Sequence, residues 1–159
     1  MVKYLVCIFF LFIVSCKTTE VVIRDNSNLD TVAFNAVSKS LNFNTYEKNQ
    51  PNQIAKELIY DWYNNQIKTS GFEGQLEVNV SKIETVSEKL DEYFKITADI
   101  SIDFKLESTT LKSKKSFTVE ATEFADLTGS FSILDQENLT ANVIRLALKK
   151  ITSKIKTLI

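Results

Sequence analysis

The chain has no histidine, and its only two cysteines, Cys7 and Cys16, fall within the first 16 of its 159 residues. Beyond Cys16 there is no thiol nucleophile, no disulfide and no soft metal ligand. The commonest general acid–base side chain is missing altogether. Neither an enzyme nor a metal site is expected, and no cofactor is implied. Glycine occurs three times and proline once, which excludes a glycine-rich phosphate loop and the composition of a disordered linker. No nucleophile elbow or metal-ligand spacing occurs. Charge of one sign is also lacking: 19 basic residues against 20 acidic ones leave −1, so the chain carries no electrostatic footprint for nucleic acid.

What is present is a folded composition, 44% hydrophobic and 25% charged, in a length that suits one domain. The longest apolar run is residues 4–14, behind the basic start Met1-Val2-Lys3. A membrane-spanning helix needs about 20 apolar residues, so this run has the length of a signal-peptide core instead. It leads into Ile13-Val14-Ser15-Cys16, which resembles the lipobox of bacterial lipoproteins. That resemblance implies removal of residues 1–15 and acylation of Cys16. Two or three acyl chains would fix the protein to its membrane, whereas a single chain binds only marginally. The expected organisation is a leader at 1–15, a lipidated polar tether at 16–29 and a single α+β domain at 30–159. Lys17 stands where an aspartate would resemble an inner-membrane retention signal, which points to the outer membrane, with the domain facing the periplasm.

Hydrophobic periodicity supplies the domain's elements. Val32, Phe34 and Ala36 alternate with polar residues, and Leu41 and Phe43 resume the alternation after Lys39-Ser40, with Thr45 as its continuation. Pro51 suits the first turn of a helix. Ile54, Ala55, Leu58, Ile59, Trp62, Tyr63 and Ile67 then recur at helical steps towards Gly71, the expected C-terminal cap. Leu76, Val78 and Val80 mark a strand, and residues 85–91 read as a polar connection. From Phe94 to Leu106 every even position is apolar and every odd position polar, a pattern only a long amphipathic strand satisfies. Phe117, Val119 and Ala121 mark its return strand. A loop at 127–131 precedes a closing helix with Asp135 as N-cap and Leu139, Val143, Ala147, Ile151, Ile155 and Leu158 on one stripe. The sum is a two-layer α+β fold: a mainly antiparallel four-stranded sheet with two helices packed on one face, in the order strand, helix, three strands, helix. The other sheet face is expected to be polar and open to water or a partner.

Constellations are few. Asp99, Asp103 and Glu107 share a strand face, but at about 3.3 Å per residue the two aspartates lie roughly 13 Å apart, too far for paired acid–base work. A solvated face paired with Lys95 and Lys105 explains them. Tyr60, Trp62 and Tyr63 could form an aromatic platform, yet their helical spacing puts Trp62 in the core. Lys112, Lys114 and Lys115, at the tip between two strands, form a small basic cluster that is a candidate contact for anionic lipid or lipopolysaccharide phosphates.

With its lipobox, its length and this element order, the chain resembles, over most of the part beyond Cys16 and most specifically over residues 93–158, the lipopolysaccharide-assembly lipoproteins of the outer-membrane translocon. The likeness lies in the strand opening Glu92-Tyr93-Phe94-Lys95, the return strand, the loop at 127–131 and the closing helix with Ala147-Leu148 and Ile151. The start Lys17-Thr18-Thr19 departs from that family's usual Gly-Phe after the cysteine. Auxiliary lipoproteins of ABC-type envelope lipid transporters and lipoprotein activators of cell-wall synthases are similar small α+β domains. The resemblance implies a non-catalytic scaffold that binds an envelope partner, an outer-membrane barrel or an ABC transporter. The alternative is a module carrying lipid between helices and sheet.

Overall fold

The computed structural model describes residues 30–44, 53–108, 110 and 112–159. Cys16, Thr45 and Pro51 lie outside the described residues. The elements run β1 (Val32–Phe34), β2 (Ser38–Phe43), α1 (Gln53–Gln66), β3 (Ile67–Thr69), β4 (Gln75–Leu90), β5 (Tyr93–Ser108), β6 (Ser113–Thr128) and α2 (Ile133–Leu158). Strands β2, β4, β5 and β6 form a four-stranded sheet in that order. Its β4–β5 and β5–β6 pairs are antiparallel and its β2–β4 pair is parallel. The helices cover one face, as the alternation in β5 requires: Phe94, Ile96, Ala98, Ile100, Ile102 and Phe104 are buried in one core with Ile59 and Trp62 of α1 and Ile144, Leu148 and Ile151 of α2.

Five local expectations are corrected. Lys39-Ser40 is no interruption but lies within β2, paired with Leu76 and Glu77 of β4. The break falls at residues 35–37, where the chain changes sheet, because β1 pairs in parallel with β3 rather than joining the main sheet. Helix α1 ends at Gln66, and Ile67, read as part of the helical stripe, opens β3 opposite Val32. Gly71 is not its cap: a Cβ there would lie 2.3 Å from Asn35 Oδ1 and 2.5 Å from the Ala36 nitrogen, so glycine is needed where two backbones touch. Residues 85–90 are not a connection but the second half of β4, which turns into β5 through Asp91 and Glu92 alone. Finally, Ser132 rather than Asp135 is the N-cap of α2. Ser132 Oγ accepts from the Asp135 N–H at 3.2 Å, and the Asp135 carboxylate accepts from the Ser132 N–H at 2.7 Å. This closes a capping box in which aspartate does the work of the usual glutamate.

Strand β4 keeps its apolar side inward only because of a bulge. Val80 faces Ile102 and Lys82 faces Ser101, leaving Ser81 as the extra residue. Its hydroxyl donates to the Ser101 carbonyl at 3.2 Å. Phe104 stacks on Phe34 of the small sheet at 5.7 Å and on Phe117 of β6 at 5.1 Å, tying both sheets into one core.

Candidate functional site

The two ends of the sheet differ in chemistry. Strands β5 and β6 meet near Lys112, Lys114 and Lys115, and α2 also ends there, since Lys115 Nζ donates to the Leu158 carbonyl at 3.1 Å. The chain enters at the same end, where Asp30 pairs with Lys156 at 2.7 Å. That pairing holds the Asp30 carboxyl below the usual carboxylate range.

The three lysines share a hairpin but not a face. Lys112 has a left-handed backbone, φ 47°. Lys114 is opposite Glu107 and binds it at 3.0 Å on the outer face. Lys115 is opposite Leu106 and reaches inward to the helix end, with its ammonium 5.8 Å from the Phe117 ring centre. A cleft of about 190 Å³ lies beside them, lined by Asn35, Glu73, Leu106, Ser108, Lys114 and Lys115 among others. Glu73 accepts from Ser108 Oγ at 3.1 Å. Next to Glu73 stands Phe72, fully exposed. Sequence reasoning missed Phe72 because it sits between two glycines, outside every periodic run.

The outer sheet face is a set of cross-strand rows rather than a carboxylate site. Lys105 binds Glu77 at 3.2 Å and Glu107 at 3.8 Å. Lys82 binds Asp99, which also accepts from Thr122 at 3.1 Å. Asp103 accepts from Thr118 at 2.7 Å. The carboxyl of Asp99 is held low chiefly by Lys82, that of Glu77 by Asn79 and then Lys105, and that of Glu107 by Lys114. A general acid at neutral pH needs a carboxyl displaced upward. All three are displaced downward. Lys95, expected to pair with a carboxylate, instead lies 5.3 Å over the exposed Phe124 ring. Among the described residues, no group of three or more Cys, Asp or Glu side chains is placed to share a metal ion.

The aromatic residues of α1 divide as their spacing predicts. Trp62 is buried, with its indole N–H donating to Thr152 Oγ1 at 2.8 Å. Tyr63 is buried beneath Lys39, while Tyr60 is half exposed against Phe43. Between the helices and the sheet, Ile59, Ile100, Ile144, Ile151 and Ile155 are fully buried. The cleft between α1 and α2, at about 50 Å³, is far smaller than ordinary ligand pockets. A wider cleft of about 400 Å³ lies on the surface between β6 and the end of α2, lined by Thr118, Glu120, Lys154 and Thr157 among others.

No protein-family model matches the chain, and no curated protein matches it in sequence. Solved structures resemble it loosely. Rare lipoprotein B from Shewanella oneidensis is 8% identical, with 76% of this chain and 92% of that one covered, at a TM-score of 0.40. Protein XCC0632 from Xanthomonas campestris is 10% identical over 84% and 94%, at 0.36. A minor lipoprotein from Acinetobacter baumannii is 12% identical over 74% of this chain and 86% of that one, at 0.38.

Proposed function

We propose that this chain is a lipid-anchored envelope protein whose domain is a non-catalytic scaffold of outer-membrane assembly, in lipopolysaccharide transport or a related envelope pathway. The observation that carries the reading is the order basic start, short apolar core, Ile13-Val14-Ser15-Cys16. In this reading Cys16 bears the acyl chains and residues 16–29 tether the domain. Two features of the domain support a binding role. Its core between helices and sheet is filled by fully buried isoleucines, which favours a scaffold over a carrier holding lipid inside. Its long outer sheet face offers paired polar rows to water or to a partner.

The test is in-cell crosslinking followed by purification of the tagged protein from solubilised membranes. Recovery of an outer-membrane β-barrel supports the reading. Recovery of an inner-membrane ABC transporter replaces it with the auxiliary lipid-transport role, and a stoichiometric absence of any envelope partner contradicts it.

A further inference from the structure

The domain is electrically polar along its length. Around the chain's entry stand Lys105, Lys112, Lys114, Lys115, Lys149, Lys154 and Lys156 against Asp30, Glu73, Glu77, Glu107 and Glu120. At the opposite end, around the β4–β5 turn and the start of α2, stand Glu88, Asp91, Glu92, Asp126, Asp135 and Glu137 against Lys89 and Lys95. The helix dipole favours cations on the last turns of α2 and accounts for Lys115, which donates to the Leu158 carbonyl, while Glu107 pairs with Lys114. Neither accounts for Lys112 at the exposed tip. Nor does either explain Phe72, fully exposed in the loop packed against the β5–β6 hairpin, or the exposed Val37, whose N–H donates to the Gly74 carbonyl of the same loop. An aromatic side chain in full contact with water beside a cationic cluster is the pairing that an anionic lipid surface takes up.

Chain length favours the basic end as the one that meets the bilayer. From Cys16 to Asp30 there are 14 steps, which reach about 50 Å at most when fully extended. The 16-residue strands β4 and β5 are themselves about 50 Å long at 3.3 Å per residue. Bringing the acidic end to the membrane would use the whole tether merely to run along the domain's flank. Resting the basic end there requires no such extension.

We propose that the basic end docks on the anionic phospholipid leaflet carrying the anchor, with Phe72 and Val37 entering the headgroup region and Lys112, Lys114 and Lys115 contacting phosphates. This leaves the acidic end and the outer sheet face directed away from the membrane. The proposal rests on the acyl anchor at Cys16.

The test uses the full acylated protein reconstituted into phosphatidylcholine vesicles with and without phosphatidylglycerol. Single cysteines in F72C and L90C carry an environment-sensitive fluorophore, and lipids with spin-labelled chains act as quenchers. Leu90 is likewise exposed but lies at the acidic end. The expected result is quenching at residue 72 and not at residue 90, strongest in the phosphatidylglycerol vesicles. In K112N/K114Q/K115Q the ratio of docked to undocked domain should fall about fivefold per lysine removed. An acylated, vesicle-bound protein whose residue 72 stays as water-accessible as residue 90, or whose quenching ignores the lysines, overturns the proposal and leaves the anchor standing. A protein recovered without acyl groups on Cys16 overturns the anchor reading itself.

Discussion

Lys39 donates to the Tyr63 and Ile67 carbonyls at 2.8 and 2.6 Å and lies 4.1 Å from the Tyr63 ring centre. A side chain that reads in sequence as a break between apolar runs thus closes the C-terminal end of α1, where carbonyls lack partners and the dipole is negative. Burial, with a smaller contribution from Lys68, holds its ammonium below the usual lysine range. Replacing Lys39 by alanine removes two charge-assisted hydrogen bonds, and we expect a loss of about 1–3 kcal/mol, visible as a lower urea midpoint at unchanged slope. Trp62 makes a second such point. Its N–H is satisfied by Thr152, whose hydroxyl donates in turn to the Leu148 carbonyl at 3.0 Å. Substituting Thr152 by valine preserves shape and orphans a buried donor. The expected cost is again about 1–3 kcal/mol, and an unchanged thermal midpoint would contradict the network. Neither partnership is legible in sequence, because periodicity places a residue on a face without naming what it touches.

At the level of elements, the legible parts were those with a sustained period. The unbroken alternation of β5 fixed its buried face and its hairpin with β6. The distal half of β4 escaped because its inward positions Thr85, Ser87 and Lys89 are polar while its outward positions Val86 and Leu90 are apolar and exposed. There the strand runs towards the sheet's end, where the outward side is the more hydrophobic one. Strand β1 shows its alternation at Val32 and Phe34, but β3, three residues long and directly following α1, is absorbed into the helical stripe at Ile67, so the small sheet and the role of Gly71 are not readable. The bulge gives an element-level prediction. Deleting Ser81 leaves Lys82 opposite Ser101 and Ile83 opposite Ile100, so the ladder closes regularly and the loss should stay within about 1–2 kcal/mol. Deleting Thr97 from the bulge-free β5 moves half a strand to the wrong face. That variant should lose cooperative unfolding by circular dichroism, and equal tolerance of both deletions would contradict the register.

For the whole molecule, stability should follow the carboxylates. Asp99, Glu77, Glu107, Asp135 and Asp30 all have ionisations lowered by their partners in the fold. Their contribution is therefore complete above the unfolded-state values near 4 and is lost as pH falls through the lower folded values. Lys82 and Lys105 are raised, so theirs is complete below the ordinary lysine range and lost as pH rises through the folded values. The urea midpoint should be level from about pH 5 to 8 and decline below about pH 4. D99N should decline less steeply, and a midpoint that rises on acidification would contradict the paired rows. The basic cluster was legible as three lysines near one turn. Its relation to Phe72 and to the chain's entry was not, since those residues meet only through the fold.

The anchor is the claim on which the functional account depends, and the intact mass of the N-terminal peptide from purified membranes tests it most directly. The account predicts a chain that begins at Cys16 and carries two or three acyl groups there. An unmodified Cys16, whether residues 1–15 are retained or cleaved at another position, would contradict it.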